Sequence, residues 1–336
     1  MIEIDGGYGE GGGQIVRVCG ALAILTQTPV RIKNIRAGRE RSGLRPQHLA
    51  GLKLLTELSS TKITGLKIGS REVEIVPGKL QGGRKKVDIG TAGSISLLLQ
   101  SVILPFLTSD QSLELTIIGG TDVTRAPTMD YLSYVLIPIL RRLGANVEIA
   151  CERRGFYPAG GGIVHVKIEP SKLNSFVCVE REGSPDIRGR IVFCALEDHV
   201  PSRIKHAAIK ELIDKNAHIS VERVNAPSPG VSITLWAEYA NTVLGASNVG
   251  ARGIPAEVVG GECADDLVRS MGGGATIDAK MCDQILPYLV FANGASRFLT
   301  KYMSLHGETV VWVLQHFVQR KIEIMKNQEN VAVSVV

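Results

Sequence analysis

A single carboxylate stands among six glycines near the start of the chain, in the run Gly6-Gly7-Tyr8-Gly9-Glu10-Gly11-Gly12-Gly13-Gln14. Glycine costs roughly 1 kcal/mol against alanine in ordered structure. So bare a loop implies a backbone that bends unusually, or a bulky partner that must come close to it. Two other loops occupy comparable places, "GTAGS" from Gly90 and "DAKMCDQ" from Asp278. Small residues before a helix expose backbone N–H groups and the positive helix end, which suits phosphate. Plain turns would account for any one of these loops alone. The Walker spacing is absent, and nothing after the first loop reads as a dinucleotide fingerprint. A basic stretch follows: Arg31, Lys33, Arg36, Arg39, Arg41 and Arg45 are offset only by Glu40. Guanidinium groups match phosphate oxygens in pairs; a solvated charged loop is the alternative. Gln47 and His48 then begin a helix and can face a loop-built site. Among seven histidines, His306 differs by standing at a strand-to-helix junction, in "SLHGETVVWVLQHF". A helix N-terminus disfavours imidazolium and helps keep the ring neutral and nucleophilic. A capping or structural role fits the same local pattern.

The elements that must carry these residues repeat. Strand Ile2–Asp5, helix Gln14–Leu25, strand Val30–Ile35, helix Pro46–Leu58, then strands Gly65–Ile68 and Val73–Val76 give the order β-α-β-α-β-β. The order recurs with strand Lys86–Ile89, helix Ile95–Leu107, strand "SLELTIIGG", helix Thr128–Leu143 and two paired strands around "FYPAGG". A third copy begins at strand "ATIDA", with helix Asp283–Ala292, strand "RFLTKYM", helix Thr309–Gln319 and two closing strands. Residues 176–272 break the pattern and read as an inserted α/β domain, bounded by "REGSPD" and "MGGG". The expected fold class is therefore α/β (α+β). Three repeated units form a large domain (residues 1–175 and 273–336), and a smaller domain is inserted.

The chain of 336 residues is long enough for two or three cores, with 44% hydrophobic residues, 21% charged residues and 37 glycines. Its net charge of +5 favours anionic partners without naming one. The six cysteines are scattered without a C-x-x-C pair and read as buried thiols in a reducing compartment, not as a zinc site or a disulfide framework. The start carries Glu3 and Asp5 and is not a signal peptide; the apolar run Leu97–Leu107 is interrupted by Gln100 and is too short for a membrane.

Taken in order, "DGGYGEGGGQIVR", "IRAGRERSGLRPQHL", "GTAGSISLLLQ", "GGTDVTRAPTMDY", "GFYPAGGG", "AEVVG", "DQILPYL" and "HGETVVWVLQHF" resemble the RNA 3′-terminal phosphate cyclase family over nearly the whole chain. The resemblance implies three β-α-β-α-β-β units with an inserted α/β domain. It also implies an ATP-dependent enzyme that turns an RNA 3′-phosphate into a 2′,3′-cyclic phosphodiester through a histidine–AMP intermediate and an RNA-adenylate. By motif, His306 matches the nucleophile and Glu10 the ligand of a divalent metal, Mg2+ or Mn2+. Arg17, Arg36, Arg39 and Gln47 match the polar lining for nucleotide or RNA phosphate. Gln100, Pro127 and the segment Lys280, Met281, Cys282, Asp283 and Gln284 fall at nucleotide-contact positions. The implied partners are ATP and an RNA with a 3′-phosphate end, in the cytoplasm and without a membrane; a homo-oligomer is compatible with all of this.

Two departures stand out: Lys280 replaces a frequent aromatic ring, which bears on adenine stacking, and Val310 replaces a frequent asparagine near His306. Two other readings compete. A non-catalytic relative that binds RNA in ribosome biogenesis would lack the nucleophile. An enolpyruvyl-type transferase on a related repeated fold would use the arginines on a small phosphorylated substrate, but has no role for a nucleophilic histidine.

Overall fold

The structure is a computed structural model describing residues 1–336. The first unit comprises β1 (Ile2–Asp5), α1 (Gln14–Thr26), β2 (Val30–Lys33), α2 (Pro46–Glu57), β3 (Lys62–Thr64) and β4 (Val73–Val76). Its sheet has the order β1-β2-β4-β3, with only the first pair parallel. Parallel neighbours cannot be joined by a hairpin, so α1 must cross between them. The second unit comprises β5 (Gly83–Asp88), α3 (Ile95–Leu99), α4 (Ile103–Leu107), β6 (Leu113–Gly119), α5 (Met129–Tyr131), a π-helical stretch (Leu132–Leu136), α6 (Ile137–Arg142), β7 (Asn146–Arg153) and β8 (Gly162–Glu169). Its order, β5-β6-β8-β7, is the same permutation.

The third unit starts with β9 (Val177–Cys178). The chain then leaves it to build β10 (Asp186–Cys194), α7 (His199–Glu211), β11 (His218–Arg223), β12 (Gly230–Glu238), β13 (Val243–Val249) and α8 (Ala256–Met271). It returns with α9 (Ala279–Phe291), β14 (Ser296–Thr300), α10 (Leu305–Phe317), β15 (Ile322–Lys326) and β16 (Val331–Val335). The third sheet, β9-β14-β16-β15, repeats the permutation once more, and β9 runs parallel to β14. The fourth sheet, β11-β10-β12-β13, is built wholly from the intervening segment. Two apolar clusters follow this division. One of 65 buried residues runs through all three units, and one of 19 lies in the intervening segment and its margins. The class is mixed α/β, as the sequence predicts.

Several elements differ from expectation. The first strand of the third unit is Val177–Cys178, ahead of the intervening segment, and not Ala275–Ala279. The latter forms no strand and joins the sheet through the isolated Ile277–Thr300 bridge and hydrogen bonds of Thr276 and Ile277 to Leu299. There Asp278 turns the chain into α9, its carboxylate accepting from Lys280 N at 3.0 Å and Met281 N at 2.9 Å. Residues 280–284 are therefore the opening turns of a helix, which begins at Ala279 and not at Asp283. The helix expected over Ile95–Leu107 is two short helices. Pro105 has no N–H for the Ser101 carbonyl, and the helix breaks at that unbonded turn, over residues 100–102. The expected strand Gly65–Ile68 is Lys62–Thr64, with Gly65 at φ +79° starting the turn. β13 was not foreseen, because "VLGASNV" has neither a helical nor a clean two-residue period. All six cysteines are free, and no helix is long and apolar enough to cross a membrane.

Candidate active site

The glycine loop docks lengthwise on α10. Tyr8 stacks on Trp312 with ring centroids 4.0 Å apart; Gly9 faces Thr309; Glu10 Oε2 lies 2.9 Å from His306 Nε2. Three successive loop residues thus meet the helix at steps of three. Gly9 has φ +59°, and a Cβ there would stand 2.5 Å from Thr309 Oγ1. Gly13 sits against the buried His48 ring, and a Cβ would fall 1.8 Å from Nε2. Much of the glycine requirement is therefore set by the protein's own packing. Gly12 is different: a Cβ there would meet nothing nearer than Arg39 Nη2 at 3.7 Å, and this part of the loop stays open. At the head of α10, Ser304 Oγ accepts from Gly307 N at 3.1 Å, which places His306 in the first helical turn.

A second set of contacts holds the other side of the imidazole. Gln14, at the start of α1, donates through Nε2 to the His306 carbonyl (3.1 Å) and to Asp283 Oδ2 (3.4 Å). Its carboxamide oxygen is then turned to His306 Nδ1, with which it makes a close contact. An amide in that orientation accepts the Nδ1 proton and directs the Nε2 lone pair away from itself. Asp283 Oδ2 stands 4.0 Å from Nδ1. Nε2 faces Glu10, whose same oxygen also receives Arg39 Nη2 at 2.8 Å. With a proton in both contacts the ring is an imidazolium. Drawing Glu10 onto a cation would release Nε2.

Burial disfavours that charged form. It is the main cause holding the His306 pKa below its ordinary value; Glu10 opposes the shift, and Arg17 and Arg39 add to it. Burial also lifts Asp283 to about 7 against the pull of Arg17, and lowers Arg17 to about 10 against the pull of Asp283. Arg17 Nε is buried without a partner. His48, pushed down to about 3 by burial and by Arg17, Arg36 and Arg45, stays neutral, with Nδ1 accepting from Arg45 N at 3.1 Å. Its place is beneath the loop and not in front of it.

The remaining expected residues divide. Gln100, at the break between α3 and α4, donates to Gln284 Oε1 at 3.3 Å, and Gln284 donates to the Lys280 carbonyl at 2.7 Å. These three therefore adjoin Asp283 on the Nδ1 side of His306. Lys280 Nζ is engaged by Asp266 Oδ2 of α8 at 3.0 Å. Pro127 lies beside α3, its carbonyl accepting from Ser96 Oγ at 2.7 Å. Met281 and Cys282 are fully buried, and the Cys282 thiol points to Met303 Sδ at 3.7 Å, so neither side chain lines the site. A helical period of 3.6 sends them to the core while Lys280 and Asp283 face outward. Arg36 holds its own loop by donating to the Arg41 (2.6 Å) and Gly43 (3.3 Å) carbonyls. Gln47 contacts His48 Nε2 at 3.4 Å. Gln14 was not singled out from sequence; its signal is a polar side chain opening a largely apolar helix, and it is 7% exposed. Asp278, also unforeseen, caps α9 and additionally accepts from Tyr131 Oη (2.8 Å) and Gly245 N (3.0 Å).

The sequence profile of the RNA 3′-terminal phosphate cyclase family matches residues 8–324. The chain belongs to that family. Proteins named RNA 3′-terminal phosphate cyclase from three archaea match it from end to end or nearly so. That of Methanosarcina barkeri is 41% identical, with all of both chains covered. That of Archaeoglobus fulgidus is 39% identical over 98% of this chain and 99% of its own. That of Methanopyrus kandleri is 43% identical over 96% and 95%. The matched span takes in Glu10, Gln14, Arg17, Arg39, Asp283 and His306, the residues that the fold gathers from its first and third units.

Proposed function

We propose that the chain converts an RNA 3′-terminal phosphate to a 2′,3′-cyclic phosphodiester at the expense of ATP, with His306 as the adenylate carrier. One observation carries the reading: His306 has its Nδ1 fixed by Gln14 while Nε2 opens towards Glu10, Arg39 and the exposed part of the glycine loop. His306 Nε2 attacks the α-phosphorus of ATP; the P–N bond forms as pyrophosphate leaves. An oxygen of the RNA 3′-phosphate then displaces the imidazole and takes the AMP. The vicinal 2′-OH attacks the activated 3′-phosphorus, loses its proton and expels AMP. The need for that hydroxyl makes RNA the substrate class.

The site suits phosphate. Arg17 is half-buried, its Nε buried and unsatisfied, and Arg39 lies beside the open Gly12. Glu10 is a single carboxylate, and no group of three or more His, Cys, Asp or Glu side chains stands ready as a cage. That donor set fits an ion such as Mg2+ or Mn2+ held by one carboxylate and by substrate phosphates. When bound, such an ion would neutralise phosphate charge at Glu10. Gln100, Gln284 and the backbone around Pro127 and Lys280 are the candidates for holding the base. Residues 176–272 are read as an inserted domain; the separate sheet of β10–β13 and the second apolar cluster support that reading for the segment after β9, while Val177–Cys178 pair with the third unit. The six free thiols agree with a reducing compartment such as the cytoplasm.

Incubation with α-labelled ATP and divalent ion, without RNA, tests the reading. Acid-labile label on the protein is expected. Its absence, under conditions in which the folded protein binds RNA, would favour the non-catalytic alternative.

A further inference from the structure

The glycine loop brings a column of rings alongside the site. Tyr8 and Trp312 lie nearly parallel, 10° apart with centroids at 4.0 Å, and His316 packs edge-on against Trp312 at 4.6 Å. The column is on the surface: Tyr8 is 42% exposed, Trp312 is partly exposed and His316 is exposed. Aromatic rings left in water beside a polar loop forgo most of what their burial would contribute. Trp312 has one face against Tyr8 and lies at 65° to His316; Tyr8 stacks on Trp312 through one face, and its exposure leaves the other to continue the stack. The column also has a fixed relation to the chemistry. Tyr8 meets α10 at 312, Gly9 at 309 and Glu10 at 306, so the rings lie six helical residues, about 9 Å along the axis, from the nucleophile. They stand on the side of Glu10 and Arg39. Gln14 and Asp283, and through α9 Gln284 and Gln100, lie on the other side of the imidazole.

We propose that the exposed face of Tyr8 is the stacking platform for the base of the RNA's 3′-terminal nucleotide, with the Trp312 ring backing it. The inference rests on the proposed reaction. An RNA whose 3′-phosphate reaches the adenylate on Nε2 must carry its last base away from the phosphate by a distance of this order. A flat ring with one free face takes any of the four bases, because every base has a π-face. The platform therefore gives affinity without sequence preference. Glu10 and Tyr8 share one short loop, so the same segment that meets the phosphates also sets where the base can lie. Tyr8 acts here as a residue that binds and positions RNA, separate from the base of ATP.

The test compares two substrates: an oligoribonucleotide with a 3′-phosphate, and the same oligonucleotide with an abasic last nucleotide. In cyclisation by the wild-type protein the abasic substrate should show a KM raised about tenfold, within the range measured for one base–ring stack. In Tyr8→Ala the two substrates should have equal KM values, and Tyr8→Phe should restore the difference. A chain carrying Trp236→Phe keeps Trp312 as its only tryptophan, and its emission should change saturably with the intact oligonucleotide and weakly with the abasic one. The same abasic penalty in wild type and Tyr8→Ala would overturn the proposal. So would a higher KM for ATP in the RNA-free labelling of Tyr8→Ala, because the rings would then serve adenine. Failure of the wild type to label itself would instead strike the reaction, while the fluorescence titration would still report on the platform.

Discussion

At the residue scale, the assignment of roles turns on which face of His306 is held and which is free. Gln14 takes Nδ1, so the free nitrogen is the one beside Glu10. His306→Ala should abolish acid-labile labelling from ATP. His316→Ala, whose ring packs on Trp312 and bonds the Trp312 carbonyl at 2.8 Å on the same helix, should keep it; counting label on both variants decides the matter. Glu10→Gln should slow self-labelling and flatten its dependence on divalent ion, and identical metal titrations for variant and wild type would reject the metal role. Lys280 is a flexible, strongly hydrated point charge where a ring would stack, and Asp266 holds its ammonium. Lys280→Tyr should lower the KM for ATP and raise the preference for ATP over GTP, since one stacked base is worth about 1–3 kcal/mol. An unchanged ATP/GTP ratio would mean that the base is held away from the head of α9.

At the element scale, two helix starts and one loop form the site, and each is fixed by a specific local device. α10 is capped by Ser304, α9 by Asp278, and the glycine loop is seated by Thr309 and His48. Gly13→Ala would drive a methyl into the His48 ring, and overpacking of this kind costs about 1–3 kcal/mol. It should lower the urea midpoint and self-labelling together. Gly12→Ala makes only ordinary van der Waals contacts, the nearest with Arg39 Nη2 at 3.7 Å. It should keep the wild-type urea midpoint while raising the KM for ATP, if polyphosphate passes over that residue. Equal stability of the two alanine variants would show that His48 can yield.

At the scale of the whole molecule, motifs that look functional in the sequence turn out to join parts of the fold. Asp122 and Asp130, from "GGTDVTRAPTMDY", flank Arg154, from "RRGFYPAGGG", at 3.1 and 2.6 Å, all of them buried. From the intervening segment, Arg190 of β10 reaches Asp130 at 3.1 Å and Ser232 of β12 reaches Asp122 at 3.1 Å. Burial pushes Asp130 up, and Arg154 and Arg190 oppose that shift. This network is the polar joint between the second unit and the fourth sheet. Removing the central cation leaves buried Asp122 with no cation and Asp130 with Arg190 alone, so Arg154→Met should destabilise the protein by about 3–5 kcal/mol in urea unfolding. A loss below about 1 kcal/mol would mean that water reaches the joint.

What the sequence by itself determined was whatever local chemistry specifies. The periods of two and 3.6 marked most strands and helices, and the threefold order of elements announced the repeated unit. Glycine richness, the arginine run and the junction at His306 marked the segments that form the site. The sequence did not reveal partners distant along the chain. That Val177–Cys178 begins the third sheet follows from pairing with Ser296–Thr300 across the whole intervening segment, and two residues carry no period of their own. Gln14 became a positioning residue only because α1 and α10 bring residues 292 positions apart into contact. Met281 and Cys282 left the site because a cap at Asp278 turned an expected loop into a helix with an inward face. Local propensity fixes elements, but the site's geometry arises from long-range packing and shared burial, and those forces depend on neighbours that a linear pattern does not name.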